Sequence, residues 1–223
     1  MPEKIVFNWS GGKDSALALY ELLQRKNDYE IVALFTVLSE DYDRISMHGV
    51  RRQLLERQAA ALSINLEKLY LPTSASNQAY EELLKNTLCR YKQQGIDVVA
   101  FGDIFLEELR SYRQEKLAQV SMRAIFPLWK RDTKELAHTF INAGFKTIVT
   151  CVDTELMDRS FVSRMYDENF LRDLPAAVDP CGENGEFHTF TYDGPIFAAP
   201  IAFETGDTIL RDNRFYYCDL IAE

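Results

Sequence analysis

The four cysteines, Cys89, Cys151, Cys181 and Cys218, never stand at C-x-x-C spacing, and none has a histidine at finger spacing. That scarcity argues against a structural zinc module and a disulfide framework, and isolated thiols fit a reducing cytosol. No apolar run approaches the ~20 residues that cross a bilayer, and the start Met1-Pro2-Glu3-Lys4 has no signal-peptide core. A cytoplasmic protein without a membrane partner is expected. Positive charge is also short: 25 Lys and Arg face 34 Asp and Glu, for a formal net charge of −9. Proteins that grip nucleic acid draw affinity from neutralised phosphates on a basic face. Here the short basic pairs Arg51-Arg52 and Lys130-Arg131 read as solvated helix and loop charges, so nucleic acid is a disfavoured partner. Repeats and low-complexity segments are absent too. What remains, 223 residues with 47% hydrophobic and 26% charged side chains, is ordinary globular composition with room for one large or two small domains.

Hydrophobic periodicity places the elements. Residues 4–9 read as a buried strand, 13–25 as a helix and 30–37 as an almost continuously apolar second strand, the mark of a sheet covered on both faces. Residues 39–49 are polar and irregular. A helix over 50–62, a strand over 66–71 closed by Pro72, and a helix over 77–94 stopped by Gly95 follow. The alternation continues with a strand at 97–101, a helix at 106–122, a strand at 123–128, a helix at 133–143 and a strand at 147–152. Strands alternating with helices predict βαβ units in a parallel sheet with helices on both faces. Past a soft boundary near residue 129 the texture turns to an acidic helix at 163–171, a loop at 175–185 and short strands at 187–192, 201–204 and 215–218. The expectation is an α/β fold, with one domain over 1–128 and a smaller α+β domain over 129–223. Their interface is a natural place for chemistry.

Between the first strand and the first helix stands Ser10-Gly11-Gly12-Lys13-Asp14-Ser15. Two residues without Cβ let the backbone turn tightly and aim N–H groups at an anion. The following helix presents its free amides and positive dipole end to the same place. Ser10 and Ser15 add hydroxyls, Lys13 a cation, and Asp14 a carboxylate suited to a magnesium ion held against phosphates. These features point to the phosphate chain of ATP, making 1–128 the expected ATP-binding domain and 129–223 the expected substrate-binding domain. The loop lacks the Walker A spacing G-x-x-x-x-G-K-(S/T) and the dinucleotide fingerprint G-x-G-x-x-G.

The S-G-G-x-D-S arrangement resembles the loop of the N-type ATP pyrophosphatases, or PP-loop superfamily, which includes GMP synthetase, asparagine synthetase and the tRNA thiolation enzymes. The resemblance implies a doubly wound parallel five-stranded sheet in the order 3-2-1-4-5, with adenine along the C-terminal edge of the strands. Further along, Gly102-Asp103-Ile104, Tyr112-Arg113 and Gly182-Glu183-Asn184-Gly185-Glu186-Phe187-His188-Thr189 extend the match over nearly the whole chain. The last element is similar to the G-E-G-G-E-(F/Y)-x-(T/S) signature of the diphthine–ammonia ligase family, with Asn184 in place of a glycine and His188 where many members carry glutamate, as in a bacterial-type branch. The resemblance implies that a carboxylate, diphthine in the family, is adenylated by ATP and then aminated by ammonia, with release of AMP and pyrophosphate.

Read as chemistry, Glu183 and Glu186 place two carboxylates in one small turn, where they can orient an amine or serve as its base; a turn with solvated acids is the competing reading. Lys13 and Asp14 complete the expected catalytic set. Ser10, Gly11, Gly12, Lys13, Asp14, Ser15 and Gly102 are expected at ATP; His48, Asp103, Arg113 and His188 at substrate; and Asp14 and Asp103 at Mg2+. A helix cap for Asp103, an exposed helix position for Arg113 and structural roles for the histidines stay open beside these. The acceptor is a carboxylate on a protein or a small molecule, the absence of a visible glutaminase segment fits free ammonia with a partner glutaminase left open, and a homo-oligomer is left open. Two rival functions are a tRNA-thiolating enzyme, which would want Cys151 and Cys181 as a pair, and an adenine-nucleotide sensor without catalysis.

Overall fold

The computed structural model describes residues 1–45 and 48–223. Its first sheet is built on β1 (Glu3–Asn8), β2 (Tyr29–Ser39), β4 (Leu66–Leu71), β5 (Val98–Ala100) and β6 (Arg123–Ile125), all parallel, in the order β4-β2-β1-β5-β6. Counted along the chain, that is third, second, first, fourth, fifth, the order expected. A two-residue strand, β3 (Arg44–Ile45), adds an antiparallel ladder at the end of β2. It lies in the 39–49 stretch expected to be irregular, of which residues 46 and 47 lie outside the described residues.

Alternation along β1 explains why the sheet is covered twice. Ile5 and Phe7 join one core with Leu17 of α1 (Lys13–Leu23), Leu54 of α2 (Arg52–Leu62) and Leu136 of α5 (Thr133–Asn142). Val6 points the other way, into a core with Leu88 of α3 (Asn77–Gln93) and Leu117 of α4 (Glu107–Ala118). Successive strand residues face opposite sides, so a strand buried on both reads as a continuous apolar run. The fifth parallel strand stops at Ile125, short of the expected 128; Pro127 has no N–H to donate to a ladder.

The strand at 147–152 does not extend this sheet. As β7 (Lys146–Asp153) it joins β8 (Phe187–Asp193), β10 (Phe215–Ala222) and β9 (Phe203–Arg211) in a second sheet, antiparallel throughout, in the order β8-β7-β10-β9. A short helix, α6 (Glu168–Asp173), and a 3-10 turn at Arg159–Phe161 lie between β7 and β8. Strand β9 is longer than its sequence signal because most of its residues are exposed, which leaves no apolar alternation to read. The two sheets share one core: Phe7 and Trp9 of the first half belong to the same buried cluster as Phe170, Phe187 and Phe190 of the second. Burying each such aromatic contributes about 2–3 kcal/mol. Among the described residues, no helix is long and apolar enough to cross a membrane.

Candidate active site

The loop 10–15 leaves the C-terminal end of the central strand, β1, where an open parallel sheet makes its crevice. Gly11 adopts φ +76°, and a Cβ there would sit 2.7 Å from Gln58 Oε1. The turn thus requires glycine twice over, for its dihedral and for the space. Gly12 is the N-cap of α1 with no side-chain cap of its own. Hydroxyls take over: Ser15 Oγ donates to the Gly12 carbonyl at 2.9 Å, Ser10 Oγ lies 3.0 Å from Ser15 Oγ, and the Lys13 amide donates to Thr189 Oγ1 at 3.1 Å. The next amides, at 14 and 15, have no carbonyl of their own helix to reach and face the crevice at the positive end of the dipole. Gly102, at the exit of β5, packs against this helix start so closely that a Cβ would lie 3.0 Å from the Ser15 amide.

A cavity of about 370 Å³ opens over the loop, lined by Ser10, Gly12, Lys13, Asp14 and Ser15 on one wall. His48, Gly102, Asp103 and Arg113 line it as well, and Glu183, His188 and Thr189 face them from the second half. Residues predicted from four separated stretches of sequence therefore meet in one place. Two predicted residues do not line it. Gly11 turns its carbonyl away, toward Gln58 and the Thr191 amide. Glu186, only 3% exposed, spends both carboxylate oxygens on its own turn, accepting from the Asp179 and Asn184 amides and from Asn184 Nδ2 at 2.9–3.0 Å.

Charge is tightly paired. Lys13 is 4% exposed; its Nζ lies 2.8 Å from Asp14 Oδ2, donates to the Cys181 carbonyl, and sits 5.0 Å from the centre of the Phe187 ring. Burial pulls its pKa down, but Asp14, with help from Glu183, outweighs that and leaves it raised, so Lys13 is a cation. Burial pushes the Asp14 carboxyl up, against the pull of Lys13. Glu183 accepts the Ile104 and Phe105 amides on Oε1 alone, at 2.7 and 3.3 Å. Its pKa is pushed up to about 7, first by burial and then by Asp14, with the two amides and Lys13 opposing. A carboxylate near neutrality in a cleft is suited to moving protons.

The His48 and His188 ring centres lie 4.6 Å apart, with the planes tilted by 41°. Burial, followed for His48 by the Lys13 charge, lowers His48 to about 4. Burial, then His48, then Lys13 take His188 well below its usual value. Both are therefore neutral imidazoles at neutral pH, offering hydrogen bonds without charge. Asp103 and Arg113 form a two-pronged ion pair, Nη2–Oδ1 3.0 Å and Nε–Oδ2 2.8 Å, with the guanidinium over the Phe101 ring at 4.3 Å. Asp103 thus already faces a cation, as Asp14 faces Lys13, and no cluster of three metal-ligating side chains exists among the described residues. Asp14 is the acidic side chain whose position on the phosphate wall fits a cation arriving with the nucleotide.

Three residues of this region escaped the sequence reading. Thr189 takes the first helical amide, Asp179 braces the second turn by accepting the Cys181 and Glu183 amides, and Gln58 is fully buried between the loop and β8. The threonine stands inside the signature element; the glutamine carries no local signal beyond being polar on an apolar helix face. Cys181 contributes its carbonyl rather than its thiol, which burial and then Asp14 push well up. Burial also pushes the Cys151 thiol up to about 12.

Two family models match this sequence: the diphthamide synthase N-terminal domain over residues 3–124 and the diphthamide synthase C-terminal domain over residues 132–218. A diphthine–ammonia ligase of Danio rerio is 25% identical over 228 residues, spanning 92% of this chain and 88% of its own. That of Mus musculus is 23% identical, with 91% and 83% covered. Among solved structures, the U34-tRNA thiolase NcsA of Methanococcus maripaludis is similar at 16% identity and a TM-score of 0.40, over 63% of this chain and 56% of that one. So slight a likeness carries no argument about activity.

Proposed function

We propose that this chain, which belongs to the diphthamide synthase family, is an enzyme that adenylates a carboxylate with ATP and converts it to an amide with ammonia. The observation that carries the reading is one cavity holding a cationic glycine loop at a helix N-terminus and, opposite it, a carboxylate that titrates near pH 7. In the first step a carboxylate oxygen of the acceptor attacks the α-phosphorus, and the bond to the oxygen bridging α and β breaks. Pyrophosphate leaves with its charge met by Lys13 and the amides of the loop, donors already in place before the charge develops. His48 and His188 offer neutral N–H groups to the same oxygens. In the second step ammonia attacks the acyl-adenylate carbonyl, Glu183 takes up the proton that the new C–N bond releases, and AMP departs.

A magnesium ion, when bound, neutralises phosphate charge, and Asp14 is the residue to hold it. Asp103 is assigned instead to orienting Arg113 at the cavity rim. The acceptor we propose is a diphthine-like carboxylate, in line with the names of the relatives. The proposed division of labour puts ATP on the chain before about residue 129 and the acceptor side after it. Incubation with ATP, magnesium and ammonium, with and without diphthine-modified elongation factor 2, tests the reading by ion-pair chromatography. AMP and pyrophosphate in proportion to amide are expected; ADP and phosphate would sink it.

A further inference from the structure

Gln58 lies on α2, outside the cavity, and is 0% exposed. Its Oε1 accepts the Trp9 indole N–H at 3.0 Å, while Nε2 donates to the Gly11 carbonyl at 2.9 Å and to the Thr191 carbonyl at 2.6 Å. The orientation of the amide is not arbitrary. An indole can only donate and carbonyls can only accept, so oxygen must face Trp9 and nitrogen must face the two carbonyls. The Thr191 amide donates to the same Gly11 carbonyl at 2.9 Å. One buried amide thus ties the end of β1, the phosphate loop and β8 together.

Building on the ATP-loop reading above, we infer that Gln58 is the positioning residue of the phosphate loop, holding the Gly11 carbonyl turned away from the nucleotide so that the donor side of the loop, the Ser10 hydroxyl and the helix-start amides at 14 and 15, is left for the phosphates. A peptide unit carries its C=O and the next N–H on opposite sides. Pinning the Gly11 carbonyl outward therefore turns the Gly12 amide to the cavity side, where it donates to the cavity-lining Ser10 Oγ at 3.3 Å, and Gly11, free to rotate at φ +76°, has no Cβ to hold that orientation by itself. The grip also joins the loop to the strand bearing Thr189 and His188, so both walls of the cavity share one anchor.

The test compares Gln58→Met with Gln58→Glu. Methionine keeps length and volume but makes none of the three hydrogen bonds. It is expected to weaken ATP binding at least tenfold by calorimetry. Glutamate, when ionised, turns an acceptor oxygen toward both carbonyls; protonated, it regains one donor. Its ATP dissociation constant, taken as a ratio to wild type, is expected to fall as the pH drops from about 8 to about 5.5, because burial raises a carboxyl pKa. A merely structural role would not produce that slope. Unfolding melts on the same samples separate loss of fold from loss of binding. Should Gln58→Met fail to fold, Trp9→Phe, which frees the amide to flip, is expected to weaken ATP binding about threefold. Folded variants binding ATP as wild type does, with no pH slope in Gln58→Glu, would overturn the inference. Wild type failing to bind ATP would instead overturn the reading beneath it.

Discussion

Residues 10–15 and residues 179–187 face each other across the cavity, and each pairs a glycine at positive φ with acidic side chains at the mouth of a regular element. The first turn opens a helix, the second a strand. In the first, the carbonyl of Gly11 is taken by Gln58 and β8, the amides of Gly12 and Lys13 are held by Ser10 and Thr189, and the amides at 14 and 15 are left without a helix carbonyl. In the second, the amides at Asp179 and Asn184 are consumed by Glu186, so the turn is closed on itself and what it offers the cavity is Glu183. Two carboxylates of the same type stand three positions apart, yet one faces the cavity and the other is the plug of its own loop. Lys13 reaches across to the Cys181 carbonyl and makes the two turns one unit. A donor turn opposed to an acceptor turn suits the proposed sequence of steps, in which phosphate charge develops beside the first and an amine gives up a proton beside the second.

The comparison is broken most severely by Lys13→Ala, which removes the cation from the donor side. Formation of AMP is expected to fall ~100- to 1000-fold, the scale for losing a preorganised donor to developing charge; chromatographic quantitation of AMP is the check. The acceptor side is sharpened by Glu183→Gln. Its Oε1 can still accept the Ile104 and Phe105 amides, so the fold should stand while amide formation drops about 100-fold. In wild type, a base must be deprotonated to act, so the rate should rise with pH through about 7; in Glu183→Gln that limb should vanish. A retained limb would assign it to another group.

Glu186→Gln should behave in the opposite manner. An amide nitrogen would face the Asp179 or Asn184 N–H, at a cost of about 2–3 kcal/mol for the lost charge-assisted bonds. The melting temperature is expected to drop by about 5–10 °C, with a smaller effect on rate than in Glu183→Gln; a larger one would reverse the assignment of the two carboxylates.

A weaker effect is expected at Asp219, which takes Arg44 at 2.7 Å and Arg51 at 2.6 Å and so fastens β10 to the segment that carries His48. Burial would raise its carboxyl, but hydrogen bonds and charge from both arginines hold it well below the usual range. A depressed acid contributes stability above its unfolded pKa of ~3.9 and loses it as pH falls below that. Asp219→Asn should therefore cost about 1–2 kcal/mol near neutrality, with the difference from wild type shrinking below about pH 4 in denaturant titrations.

Smallest of all is the expected effect of Cys151→Ser combined with Cys181→Ser. Both thiols are buried, with pKa values raised too far for a thiolate at neutral pH. AMP formation should stay within about twofold of wild type; a collapse without loss of fold would revive the sulfur-transfer alternative.

What was legible in the sequence was local. The Gly-Gly turn before an amphipathic helix, the alternation of strand and helix, and the signature turn at 182–189 all rest on dihedral freedom, periodicity and helix dipoles, which neighbours along the chain decide. The strand at 147–152 was legible as a strand, but its sheet was not, because an apolar run carries no record of which edge it pairs with. The fate of charged side chains was not legible either. Asp103 finds Arg113 ten residues on, Arg51 finds Asp219 on the last strand, and Gln58 is recruited by Trp9, Gly11 and Thr191. Sequence by itself determined that a phosphate loop and an acidic turn exist and that the first sheet is parallel. Only the tertiary structure decided that they oppose each other, that Glu183 and not Glu186 faces the cavity, and that the two histidines meet there as neutral rings. The reason is that burial and partnership, which set pKa values and orientation, come from residues far apart in the chain.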